Sequence, residues 1–279
     1  MQSNFEHCAV LVRETDRDRY LATLFAPAKH RDALFALYAF NVEVGRVRDL
    51  AREPMPGEIR LQWWREVLSG ERPGEAAAHP VASAMMGLLK RYDIEPDRLT
   101  AVIDAHAFDL YDDPMATLDD LDRYAMRTQS NVLEIAATIL GGSNVQMLMH
   151  HAGIVYGIVA VLSGLGRHAA HRQLYVPLEV LDRHGVDRED VFARRPSERL
   201  KLALAELSRH ARRQLAAAQA EPAMPNILPA ILPVALAGPQ LRAMERRGVE
   251  PFEPRPLSGL NRQWLLWRAA RDPRRIFRA

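Results

Sequence analysis

The chain has 279 residues, with 37 basic and 35 acidic side chains and a net charge of +2. Hydrophobic residues make up 48% and charged residues 26%, a globular composition that excludes a disordered chain. The near-neutral balance excludes a dedicated nucleic-acid binder, and the single cysteine, Cys8, excludes a disulfide framework and a cysteine metal site.

The first twelve residues lack a basic segment followed by a long apolar run. Glu6, Glu14, Asp16 and Asp18 are out of place in a transit peptide, so neither leader is expected. No membrane-crossing helix is expected either, for want of a stretch of about 18 uncharged apolar residues. Helical periods dominate from residue 31. Residues 31–52 place Leu34, Leu37, Tyr38 and Asn41 on one stripe, which Gly45 and Asp49 continue. Pro54, Pro56 and Gly57 break the chain, and helices follow over 58–69, 81–92 and 96–111. Thr117, with Asp120 three residues on, caps a helix running through Leu121, Tyr124, Val132, Ile135 and Ile139. The next helix, 144–165, carries Gly153, Gly157 and Gly164, which permit close packing or leave room in the core. Residues 174–177 read as extended, and helices resume at 178–184, 197–218, 227–246 and 257–270. There is no strand alternation and no repeat, and the Pro-containing joints are too short for linkers. The expectation is one all-α domain, residues 1–279, of about ten helices.

Searches for generic chemistry find no Gly-rich phosphate loop, no G-x-S-x-G elbow and no H-E-x-x-H. Asp109, Asp112, Asp113, Asp119, Asp120 and Asp122 have the oxygen chemistry of a Mg²⁺ site, but they straddle a Pro loop and a helix start, where the helix dipole alone favours acids. His150, His151, His168 and His171 lack a neighbouring carboxylate to complete a metal ligand set. Residues 225–239 read as a kinked core helix, or as the wall of an apolar cavity or a membrane-facing surface. The basic stretch 268–278, beside Trp264, Trp267 and Phe277, reads as a solvated helix or as a contact for anionic lipid or a partner protein.

The segment YAFNVEVGRVRD at 38–49 resembles the first signature helix of the squalene/phytoene synthase family. The resemblance continues through Leu24 to Pro27 with Arg31 and Leu34, through Asp109-Leu110 and 118–124, and through 157–177 with its closing LYVP. It implies an isoprenoid-synthase-like helical fold with a central cavity. In such enzymes two prenyl diphosphates are joined head to head, with Mg²⁺ held between two Asp-rich motifs. Carboxylates at i and i+4 share a helix face, and Mg²⁺ neutralises the departing diphosphate.

The acids are depleted here. The first motif leaves Gly45, Arg46 and Asp49; the second leaves Gly164 and His168, with Arg167 beside them. A single carboxylate builds no paired Mg²⁺ cage, and the arginines repel Mg²⁺ while suiting phosphate. AFNVE and RVRD at 39–49, PVA at 80–82, HGV at 184–186 and Trp267-Arg268 resemble the phytoene-synthase-like subgroup that serves assembly of respiratory complex I. That resemblance implies a non-catalytic relative without a cofactor, cytoplasmic or peripheral on the inner membrane, and the opening residues, unlike a transit peptide, suggest a bacterial one. Its partners would be complex I subunits or assembly intermediates. Tyr38, Asn41, Gly45, Arg46, Asp49, Gly164, Arg167, His168 and Tyr175 would line a repurposed pocket. Two readings stay open beside it: a working Mg²⁺-dependent prenyltransferase, and a protein that binds a prenyl diphosphate or lipid without chemistry.

Overall fold

The computed structural model describes residues 3–51, 53–222, 225–246 and 248–278. Every regular element among the described residues is helical. The chain divides into two compact units. The first comprises residues 1–110, 131–146 and 223–233; the second comprises 111–130, 147–222 and 234–279.

The first unit is built around the helix Ala28–Gly45, in which every residue from Ala33 to Val42 is buried. A helix apolar on all sides needs neighbours on all sides, and Asn4–Thr15, Pro80–Tyr92 and Asn131–Ile139 supply them. Local chemistry sets the boundaries. Ser3 and Glu6 form a capping box before Asn4–Thr15, and the Asp16 carboxylate accepts the backbone N–H of Arg19 to start Arg17–Thr23. Pro54, Pro73, Pro80 and Pro96 each stand in a first helical turn, where a missing N–H breaks no internal bond. Trp64 closes the core edge-on to Phe40, with ring centroids 5.0 Å apart.

In the second unit the helix Gln146–Ser163 is buried along most of its length. Its glycines are packing devices. A Cβ at Gly153 would stand 2.1 Å from Ser130 Oγ and 2.5 Å from Ser130 N, and one at Gly157 would stand 2.5 Å from Ala125 Cβ. Close approach, not spare room, is what these positions provide. The helices Glu198–Ala220 and Gly259–Arg271 are capped by Ser197 and Ser258, and Thr117 and Asp120 form the expected capping box at Leu118–Ala125.

The structure departs from expectation in several elements. The helix expected over 31–52 ends at Gly45; Arg46 (φ −97°, ψ 4°) separates it from a single turn, Val47–Leu50. The helix expected from Thr117 onward is interrupted by a π-helical turn, Met126–Ser130, a single-turn feature found within longer α-helices. The segment expected as one helix over 227–246 is a chain of short pieces: Pro225–Ile227, Leu228–Ile231, Leu232–Leu236 and Ala237–Met244. Pro229, Pro233 and Pro239 each remove a backbone donor there. Two runs, Gln146–Ser163 and Pro225–Met244, are long and apolar enough to cross a membrane, which the sequence reading had excluded. However, 61% and 67% of them is buried within the protein, as in core helices.

Candidate functional site

Five of the nine expected pocket residues lie in the first unit, along and just past Ala28–Gly45. Tyr38 is fully buried, its ring 5.1 Å from the Arg19 guanidinium and its hydroxyl without a hydrogen-bond partner among the described residues. Burial pushes its pKa up to about 12, against the opposing pull of Arg19. Asn41 is buried one turn on, and among the described residues its Oδ1 also has no hydrogen-bond partner. Gly45, Arg46 and Asp49 are exposed. Beside Gly45 stands a buried pair, His106 and Asp109, joined Nδ1 to Oδ2 at 2.7 Å. A Cβ at Gly45 would meet the His106 ring at 3.5 Å, an ordinary contact, so this position has room for a side chain.

Within the same unit the structure shows a cluster that sequence reasoning missed. Glu43 is half-buried, 3.6 Å from His79 Nε2. Burial drives its pKa up to about 7, while the Arg60 and Arg46 charges pull it back. Burial lowers the His79 pKa, and the nearby His7 and Arg60 charges lower it further. His79 also packs against Trp63 and Trp64. Nothing in the sequence spacing of Glu43 and His79 announced their meeting.

The other four residues lie in the second unit. Gly164 ends the Gln146–Ser163 helix and stands before Leu165–Ala170. The His168 ring folds back over it: a Cβ at 164 would stand 2.5 Å from Cε1 and 2.7 Å from Nε2 of that ring. His168 is buried and packs on Tyr175 at 4.6 Å between ring centres, and its Nε2 lies 3.3 Å from an Arg167 guanidinium nitrogen. Tyr175 is buried between His168 and Tyr124. It lies in the segment 174–177, which is extended as expected: Met115 N–H donates to Leu174 O at 3.3 Å, and Leu178 N–H to Met115 O at 2.9 Å. His168, Tyr175 and Gly164 thus form one interlocked group with Arg167 on its exposed edge.

These residues do not fit Mg²⁺. Carboxylates are absent at 45, 46, 164 and 168, and the space a side chain at 164 would need is filled by an imidazole. Among the described residues no three His, Cys, Asp or Glu side chains converge on a point. Four acids of the 109–122 stretch are engaged separately. Asp109 bonds His106, Asp119 pairs with Arg123, Asp120 caps its helix, and Asp122 faces His210 Nε2 at 2.9 Å. His151 Nδ1 lies 2.7 Å from Gln214 Oε1. The second unit also holds a groove of about 510 Å³ lined by Leu162, Leu202, Ala205, Ser208, Val249 and Pro251 among others; none of the nine residues lines it.

The family model for squalene/phytoene synthase matches residues 12–268. A human protein named NADH dehydrogenase (ubiquinone) complex I, assembly factor 6 is 30% identical over 197 residues, covering 70% of this chain and 59% of the relative. A presqualene diphosphate synthase from Sinorhizobium fredii is 27% identical over 177 residues, covering 61% of this chain and 62% of that protein. The chain therefore spans about three fifths of the length of these relatives. Among solved structures, a dehydrosqualene synthase in complex with ligand superposes with a TM-score of 0.78 at 16% identity, over 95% of this chain and 94% of that one, which shows the fold. With the family model matched over nearly its whole length, this chain belongs to the squalene/phytoene synthase family.

Proposed function

We propose that this chain is a non-catalytic member of its family that serves the assembly of respiratory complex I. The observation that carries the proposal is the interlocked group at Gly164. Where the resemblance places an Mg²⁺-binding carboxylate, the His168 ring fills the space, and the matching positions of the first motif are Gly45 and Arg46. A diphosphate cannot depart readily without neutralisation of its charge. The likeness to the human protein named as a complex I assembly factor supports the direction of the reading. Its partners would then be complex I subunits or assembly intermediates.

Deleting the gene from the organism that encodes it tests the proposal. Native gels should show depleted complex I, restored by the wild-type gene; fully assembled complex I in the deletion strain would sink it.

A second reading, prenyl transfer, draws on the likeness to presqualene diphosphate synthase. Pure protein incubated with Mg²⁺ and farnesyl diphosphate separates the two: diphosphate release above a protein-free control would favour the enzyme. Prenyl diphosphate binding without chemistry is compatible with the exposed Arg46 and Arg167, whose planar guanidiniums suit phosphate. It would register as calorimetric binding with no product.

A further inference from the structure

The helix Gly259–Arg271 presents two different faces. Leu266 and Ala269 are buried. Leu260, Trp264, Trp267 and Arg271 are exposed, the first three by 83%, 52% and 41%. At about 100° per residue these four fall within an arc of roughly 60°, opposite the buried pair. Exposure of two tryptophans on one stripe is unusual for a face that only meets water. The indoles stack on each other, ring centres 5.4 Å apart and 19° between planes. The Arg268 guanidinium lies 5.5 Å from the Trp264 ring and that of Arg271 4.0 Å from Trp267.

Charge singles out the same segment. Residues 258–278 carry six arginines and one acid, Asp272, a local excess that dominates a chain of net charge +2. Asp272 is engaged by Arg275 at 2.9 Å. Elsewhere arginines meet carboxylates, as in Arg65–Asp104, Arg98–Glu134, Arg194–Glu253 and Arg212–Glu245. Here Arg268 and Arg271 lie over aromatic faces instead.

We propose that the exposed face of Leu260, Trp264, Trp267 and Arg271 docks this protein on an anionic lipid bilayer. Each component has a role that water alone does not use. Indoles settle at the level of lipid headgroups, with their apolar bodies toward the acyl chains. Leucine adds apolar area to the same stripe. Arginines held over the indoles remain within reach of lipid phosphates, and basic residues near an anionic surface each strengthen attraction. The helix lies in the interface and crosses nothing. The proposal uses none of the candidate-site residues and stands apart from the assembly reading.

The test is flotation of the full chain with vesicles of phosphatidylcholine alone and of phosphatidylcholine with 30% phosphatidylglycerol. Expected are binding to the anionic vesicles, weakening as salt rises, and a loss of about tenfold or more in affinity for R268E/R271E and for W264A/W267A. All four side chains are partly or largely exposed, so the variants should keep the wild-type circular dichroism and melting temperature. As a second readout, brominated lipid in the anionic vesicles should quench wild-type tryptophan fluorescence but not that of W264F/W267F, in which only Trp63 and the buried Trp64 remain. Failure to bind anionic vesicles, or equal binding by the variants, overturns the proposal. So does concentration-dependent self-association that W264A/W267A abolishes without vesicle binding, which would assign the face to a second copy of the chain.

Discussion

Alanine at position 164 is a sharp probe of the candidate site. The backbone there (φ −90°, ψ 0°) is open to any residue, so relief of glycine's chain entropy favours alanine by about 0.4–1 kcal/mol. Against this, the new Cβ would sit 2.5 Å from His168 Cε1 and 3.1 Å from Ala160 O, where carbon contacts settle at about 3.5–4.0 Å. The imidazole would have to move roughly 1 Å, yet it is buried, packed on Tyr175 and held at its Nε2 edge by Arg167. Overpacking of this kind costs about 1–3 kcal/mol, so Gly164→Ala should destabilise by about 1–2 kcal/mol net. Removing the ring should remove the clash: Gly164→Ala in a His168→Ala background should cost nothing or stabilise slightly. The coupling in the double-mutant cycle should therefore reach about 1 kcal/mol or more. Urea unfolding followed by circular dichroism, with a common slope for the four proteins, measures it. If Gly164→Ala is as stable as wild type, or the two substitutions are additive, the ring does not hold the space and the steric argument against a carboxylate at 164 fails.

Three further outcomes are expected. Gly153→Ala should destabilise by about 1–3 kcal/mol, because its Cβ would strike the Ser130 backbone, whereas Gly87→Ala, in the exposed middle of Pro80–Tyr92 with nothing within 4 Å, should stabilise by about 0.5–1 kcal/mol; paired denaturant melts check both signs. Glu43, with its folded pKa raised to about 7, keeps its proton in the folded state while the unfolded chain loses it, so its contribution to stability falls as pH rises from about 4.5 to 7 and stays lost above; Glu43→Gln should match wild type near pH 5 and exceed its stability by about 1–3 kcal/mol at pH 8.5. Cys8, fully buried with its thiol pKa pushed up to about 12 by burial and by the Glu43 charge, should resist Ellman's reagent in native protein at pH 8 and react at once in denaturant.

Capping residues made some helix starts legible in the sequence. Glu198–Ala220 and Leu118–Ala125 begin where Ser197 and Thr117 predict. Asn4–Thr15 went unread although Ser3 and Glu6 spell a capping box, because its apolar pattern is weak and only Cys8 and Val12 are buried. The π-turn at Met126–Ser130 was beyond reach, since one extra residue per turn changes backbone bonding without changing residue type. In the site, the missing acids were legible residue by residue. The reason Gly164 is glycine was not, for it lies in a ring four residues away that folds back only in three dimensions. Nor was the partnership of His106 with Asp109 singled out, though their i, i+3 spacing contains it.

The two depleted motifs differ in kind. At Gly45 the side chain is merely absent: the position is exposed and a Cβ would touch His106 at ordinary distance, so an acid fits there by one substitution. At Gly164 the space is taken, and an acid fits only after His168 has changed. The order of changes therefore matters. Gly164→Asp made alone should give a destabilised protein with no gain in metal affinity, because its carboxylate must displace a buried ring. His168→Asp made first removes that ring and places a carboxylate at the i+4 position of the motif. The packing of His168 on Tyr175 and over Gly164 sets that order: Gly164→Asp should cost less stability in a His168→Asp background than alone, which paired urea melts would show.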